Sequence, residues 1–488
     1  MSKKSKPSAP APNPRFTNLP ELLSVNAAIP VAVVAAVAFH LAYFFSACSF
    51  LIAVFVFCLF RLTHLRSSRQ AFYTGLALGF AIYSPQLRFF WNVFGPAAIA
   101  LWWVLAFWLA IFLVLGRKCL VQFGPVALAL AAPFLWMGLE FFRSELYYLR
   151  FSWLNIGYAF SNTDELRYLS TFGVYGIGFL LMASASFFYV LPRLSKRTRI
   201  VLTILLGGTL IYPALRESMP AATGKTLHVA GVQLEAPTEM EIGPALDDLV
   251  KKYPETELVV LSEYTYFGPI PDSLRNWCKK NHKYVVVGGE DPLGGKKYYN
   301  TAFVIDPEGK TVFQQAKCTP IQFFADGQPA PSQKVWGSPW GKLGFAICYD
   351  GCYTRVMDTL VRQGAQALIV PTMDVADWGA QQHAQHARVI PMRAAEYRLP
   401  VFRVCSSGIS MIAGPGGTVK ASAPFPGERA MIAGVIDIPA AGRIPPDRIM
   451  ARISVVITAA LASWFAALSF TQRRQWRLRR KTAVRQRK

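Results

Sequence analysis

Apolar positions along this 488-residue chain follow two different patterns. Up to residue 215 they form long, nearly unbroken runs near 23–42, 44–60, 71–89, 95–116, 120–140, 168–192 and 199–215, and one more lies near 453–470. Crossing the hydrocarbon core of a bilayer takes about 20 apolar residues. The pattern therefore predicts a domain of about seven transmembrane helices over 23–215 and a last one over 453–470. The first two runs are joined by almost nothing and read as a tight hairpin or as one long segment. Between 226 and 440 the pattern shortens. LHVAGVQ, LVVLSE, YVVVGGE, YNTAFVID, LGFAICYD, ALIVPTMD, VFRVCSSG, SMIAGPGG and RAMIAGVID read as strands, and 240–252, 272–281, 353–363 and 383–397 as helices. Such alternation predicts a sheet layered with helices.

Charge orders these parts. The chain carries 51 Lys and Arg against 28 Asp and Glu, a net charge of +23. With eight spans, 22 basic residues fall in short segments on one side and 4 on the other. The positive-inside rule then places the 1–22 segment and the 471–488 tail in the cytoplasm, and the nearly neutral 216–452 segment across the membrane. A basic tail beside a span serves topology and anionic-lipid contact, so no nucleic-acid partner is expected. The polar, Pro-rich N-terminus shows no cleavable signal peptide.

The chemistry has few candidates. Nucleotide-binding glycine motifs and the GxSxG elbow are absent from the sequence, which weakens nucleotide and serine-hydrolase readings. Most of the eight cysteines read as small buried hydrophobes. His383 and His386 read as solvated histidines on a helix face, without an acidic or Cys partner to complete a metal set. Glu263, Lys317 and Cys348 stand at strand ends. A cysteine where a strand hands over to a helix favours thiolate, a carboxylate can take its proton, and a lysine can hold an oxyanion. Each residue also fits a structural role: a salt bridge, a surface lysine, a buried thiol.

Four ordered blocks add to this. LSEYTYFGP, YYNTAFVIDPEGKTVFQQAK, GFAICYD and the stretch from PTMDVADWG through HARVIPMRAAEYRLPVFRVCSSGISMIAGPGG resemble the nitrilase superfamily. With the flanking spans, and with FSWLNIGYAFSN before RYLSTFGVYGIGFLL, the chain is similar over nearly its whole length to the apolipoprotein N-acyltransferases. The resemblance implies a multi-span α-helical membrane domain plus an α/β nitrilase-like αββα sandwich in the bacterial inner membrane. It implies Glu263 as base, Lys317 at the oxyanion and Cys348 as nucleophile, with Asn300, Tyr349, Asp350 and Glu396 in support and Trp153 at the lipid entrance or as an interface anchor. Phosphatidylethanolamine is the implied donor and the amine of a diacylglyceryl apolipoprotein the implied acceptor, with no cofactor and no metal. The sequence departs from the family pattern in two places. The family's PFGEYVP after the lysine is replaced by PIQFFADGQPAP, whose nearest acid, Asp326, is one residue out of register. Only 30 residues lie between Lys317 and Cys348, fewer than the family's usual arm. An amidase, or an acyltransferase for another amine, is the alternative.

Overall fold

The computed structural model describes residues 22–161, 164–215 and 221–485. The polar N-terminus, the 216–220 boundary and the last three tail residues lie outside the described residues.

Every long apolar run becomes a helix: α1 (Val25–Phe44), α2 (Leu51–Leu62), α3 (Ser68–Gln86), a short α4 (Phe90–Phe94), α5 (Ala97–Phe123), α6 (Pro125–Phe141), α7 (Leu169–Val190) and α8 (Lys196–Leu215). A final helix, α14, runs over Asp447–Arg485. Among the described residues, five stretches are long and apolar enough to cross a membrane: Val25–Phe44, Ala97–Phe123, Pro125–Leu146, Leu166–Arg193 and Asp447–Gln472. The second leg of the expected hairpin is short. α2 holds 12 residues, about 18 Å of helix.

Close packing inside this bundle depends on small residues, because lipid offers no hydrophobic drive between helices. A Cβ on Gly75 of α3 would lie 2.4 Å from Ala110 Cα of α5, and one on Gly79 would lie 2.5 Å from Ala106 Cα. α7 bends at Gly173, whose φ of +72° suits glycine alone. The bend frees two backbone N–H groups, and both are capped from elsewhere. Val174 N donates to Glu396 Oε1 at 3.0 Å, and Tyr175 N donates to Asp447 Oδ2 at 3.1 Å.

The second half is a sandwich of two six-stranded sheets. One sheet orders β12–β1–β2–β3–β4–β5 and the other β11–β10–β9–β8–β7–β6. In chain order the strands are β1 (Ala222–Val232), β2 (Leu258–Val260), β3 (Tyr284–Gly294), β4 (Lys297–Ile305), β5 (Thr311–Ala316), β6 (Val335–Gly337), β7 (Lys342–Phe345), β8 (Ala367–Thr372), β9 (Val401–Cys405), β10 (Ser410–Ala413), β11 (Val419–Ala423) and β12 (Met431–Pro439). Alternation along the strands divides the core into layers. Val229, Leu258 and Val260 join Phe345, Ile369 and Phe402 between the sheets. Their neighbours Ala230, Val259 and Leu261 pack outward against α9 (Glu239–Lys252) and α10 (Asp272–Asn281). On the other side α11 (Thr354–Arg362) and α13 (Val389–Tyr397) cover Leu368, Val370 and Val401. The layering is thus helix, sheet, sheet, helix, as the resemblance implies. The expected helix 383–397 is two, α12 (Ala380–Ala387) and α13, with the break at Arg388.

Candidate active site

Glu263, Lys317 and Cys348 converge at the same end of the two sheets, and all three are buried. Lys317 follows β5. Its ammonium lies 2.8 Å from Glu263 Oε1 and 2.7 Å from Asp326 Oδ2. Asn300, on β4, closes the ring by donating from Nδ2 to Glu263 Oε1 at 2.6 Å and to Asp326 Oδ1 at 2.8 Å. Asp326 is fixed further by the N–H of Ile321 at 2.8 Å and the Tyr264 hydroxyl at 3.1 Å. The acid that stands out of register in the sequence therefore sits directly on the lysine. The short loop after Lys317 folds back to bring it there.

Met373, just past β8, touches both remaining members. Its N–H donates to Glu263 Oε2 at 2.8 Å, and its carbonyl accepts from Cys348 Sγ at 3.8 Å. Cys348 follows β7 and opens a five-residue 3-10 turn, Cys348–Cys352, at φ +52°. A non-glycine residue held there stores strain that its surroundings must support. Asp350 supplies part of that support. It accepts from Cys318 N at 2.9 Å and Thr319 N at 2.7 Å, and so ties the Cys348 turn to the lysine loop. Arg393 on α13 holds the other flank, donating to Gly351 O at 2.9 Å and Cys352 O at 2.7 Å. Glu396 pairs with Arg393, and with Arg448 of α14 at 2.9 Å.

Burial pushes the Cys348 thiol well above its ordinary value, and the Glu263 charge adds to this more than Lys317 relieves it. Burial also raises the Glu263 carboxyl, though Lys317 opposes it. For Lys317, burial disfavours the ammonium, but Asp326 and Glu263 outweigh it and hold the group well above the usual lysine range. The resting set is therefore a thiol, a carboxylate of increased basicity and a fixed positive charge. Such a set can deprotonate sulfur and stabilise an oxyanion.

The thiol faces a cleft between the sandwich and the helical domain. Leu101 and Leu105 of α5, Phe90 and Phe94 of α4, and Phe323 and Phe324 of the lysine loop form apolar walls. Trp153 lies in the same wall. It is buried, its Nε1 donates to Cys352 Sγ at 3.0 Å, and its ring stacks on His386. Arg150 also lines the cleft, with its guanidinium over the Tyr353 ring. No carboxylate pairs with it among the described residues.

Residues 231–444 match the carbon-nitrogen hydrolase family, and residues 31–187 match the apolipoprotein N-acyltransferase N-terminal domain. The apolipoprotein N-acyltransferase of Geobacter metallireducens is 24% identical over 351 residues, 62% of this chain and 67% of that protein. That of Azotobacter vinelandii is 25% identical over 417 residues, 73% of this chain and 79% of that protein. In both halves the chain is thus similar to the apolipoprotein N-acyltransferases. A formamidase of Bacillus thuringiensis is 31% identical over 140 residues, 24% of this chain and 41% of that protein.

Within this fold, two sequence expectations are corrected. Cys348 is a buried thiol, because it opens a short 3-10 turn packed beside Glu263 and Asp374 rather than a solvated helix N-terminus. His383 and His386 are also buried, at 0% and 4% exposure. His386 Nδ1 lies 2.8 Å from Asp374 Oδ1, so it does have an acidic partner, which arrives from the end of β8. Cys348 Sγ, an Asp374 oxygen and a His386 ring nitrogen all lie within 4.8 Å of one another. Arg403 of β9 donates to Asp374 and lies 3.1 Å from His386 Nδ1. Its fixed positive charge opposes a metal ion there. The sequence holds Asp374 and Arg403 in plain view, but only strand order brings them beside α12.

Proposed function

We propose that this chain N-acylates lipoproteins in two steps, taking the acyl chain from a membrane glycerophospholipid, with phosphatidylethanolamine as donor. In the first step Glu263 takes the Cys348 proton and sulfur attacks the ester carbonyl. Lys317, with the N–H of Tyr349, holds the oxyanion, and the lysophospholipid leaves with the proton. In the second step the amine of a diacylglyceryl-cysteine attacks the thioester and releases Cys348. The observation that carries the reading is the placement of the thiol on an apolar cleft walled by α5, a helix long enough to cross a membrane. A chain in the bilayer then reaches sulfur without entering water. The unpaired Arg150 on the same cleft suits a lipid phosphate. Removing one oxyanion donor typically costs 10²–10³-fold in rate. The sandwich lies on the extracytoplasmic side and both termini lie in the cytoplasm.

Intact mass spectrometry of the purified protein with phosphatidylethanolamine vesicles tests this. Wild type gains an acyl-sized, hydroxylamine-labile adduct and Cys348→Ala gains none. Adding a diacylated lipopeptide discharges it to an N-acylated product. Absence of both adduct and lysophospholipid would sink the proposal. Discharge to water or a small amine alone would favour the amidase reading suggested by the formamidase similarity.

A further inference from the structure

The steps above leave one buried acid–base pair without a task. His386, on α12, lines the cleft and has a ring nitrogen within 4.8 Å of both Cys348 Sγ and an Asp374 oxygen. Its Nδ1 faces both Asp374 oxygens, at 2.8 and 3.0 Å. Among the described residues nothing hydrogen-bonds Nε2. The ring is clamped by the Trp153 indole, with centroids 4.8 Å apart and planes 16° from parallel. Asp374 is fixed in turn by Gln382 Nε2 at 2.9 Å, by Arg403, and through its own N–H by Ser406 Oγ at 3.1 Å. Arg403 cannot lose its proton, so it keeps Asp374 ionised. Arg403 Nη2 also lies 3.1 Å from Nδ1 but makes its shorter bond to Asp374, and the two ionised carboxylate oxygens facing Nδ1 only accept, which places the His386 proton on Nδ1 and a lone pair on Nε2. This is how a carboxylate orients an imidazole for proton transfer.

We propose that His386, oriented by Asp374, is a second catalytic base that serves the amine-transfer step while Glu263 serves the sulfur. This rests on the two-step reading above. The lone pair of the uncharged amine attacks the thioester carbonyl carbon and the C–N bond forms. His386 Nε2 takes a proton from that nitrogen. The C–S bond breaks, its electron pair stays on Cys348 Sγ, and the imidazolium returns the proton to sulfur. The step consumes and releases nothing else. The ring must be neutral to act in this way. Burial lowers its pKa and Arg403 and His383 add to that, while Asp374 opposes them. The division of labour is physically sensible. Glu263 is already bound by Lys317, Asn300 and Met373, whereas no hydrogen bond among the described residues occupies Nε2.

The test separates the half-reactions in the full-length protein. Acylation is timed with phosphatidylethanolamine vesicles, and transfer is timed by chasing preformed acyl-enzyme with a synthetic diacylated lipopeptide. General acid–base groups contribute typically 10²–10⁴-fold. His386→Gln is expected to slow transfer about 100-fold or more, and at least about tenfold more than it slows acylation. In His386→Ala, added imidazole is expected to restore transfer. Equal slowing of both half-reactions without imidazole rescue would overturn the assignment. So would wild-type transfer in His386→Gln, or loss of the adduct in both variants. If wild type itself forms no adduct, it is the two-step reading that fails, and this result is separate.

Discussion

Lys317 keeps its charge in a buried place because two carboxylates meet it, and the loss of either leaves a buried ion half-paired. Breaking such a pair on one side costs about 3–5 kcal/mol. Asp326→Ala should therefore lower the melting temperature of the detergent-solubilised protein and slow adduct formation together. A variant that melts and acylates like wild type would remove Asp326 from the site. Asp374 predicts a pH effect. Burial alone would raise its carboxyl, but His386 and Arg403 outweigh burial and hold it well below the ordinary value, which is about 3.9. The unfolded chain then binds this proton first. The stability Asp374 contributes is full above about pH 4 and is lost as the pH falls below that. Melting temperatures measured from pH 6 down to pH 3 should fall more steeply in wild type than in Asp374→Asn. At this scale the sequence was readable where the residue and its neighbours carry the signal together, as in GFAICYD or LSEYTYFGP. It was not readable for His386. Its partners stand 12 and 17 positions away on other elements, and a helix-face histidine looks the same in sequence whether its face meets water or a buried carboxylate.

The bend in α7 joins the two halves of the molecule. Gly173 allows it, and Glu396 and Asp447 cap what it exposes. A Cβ on Gly173 would lie 2.1 Å from Asp447 Oδ2, at a φ that side chains rarely adopt. Gly173→Ala is expected to lose at least about 1–3 kcal/mol of stability, and the adduct yield should drop with it because Glu396 also steadies Arg393 and the Cys348 turn. Equal melting curves for wild type and variant would refute this. The nine apolar runs read as strands are all strands here, since a buried sheet needs continuous β-branched segments and shows them. The strands not read, β5, β6 and β11, all lie at sheet edges and are largely exposed, so no buried apolar run marks them. The break between α12 and α13 is marked by Pro391 in the first turn of α13, whose nitrogen cannot donate to the Ala387 carbonyl.

For the whole molecule, the cleft predicts which lipids are accepted. Leu105 is buried in its wall. Leu105→Trp should disfavour long chains, with acylation from sixteen-carbon donors falling at least about tenfold relative to short-chain donors. Competition between donors of mixed length, read by adduct mass, would show it, and an unchanged preference would place the acyl chain elsewhere. The proposed orientation is open to impermeant thiol labelling, since the native cysteines are free and none is fully exposed. Met240→Cys, on the exposed outer helix layer, should react in intact cells and Thr471→Cys only after permeabilisation. The reverse order would invert the molecule. The pairing of β1 with β12 also constrains how this protein is made. β1 is an interior strand of its sheet, yet one of its two neighbours ends at Pro439, after every other strand. A ribosome-bound chain cannot finish that sheet early, and contacts this distant in sequence form slowly. Until Met431–Pro439 is made, β1 presents an unzipped edge. About two hundred residues must therefore be delivered before the domain can close, which makes this interval the point at which aggregation or proteolysis would claim it.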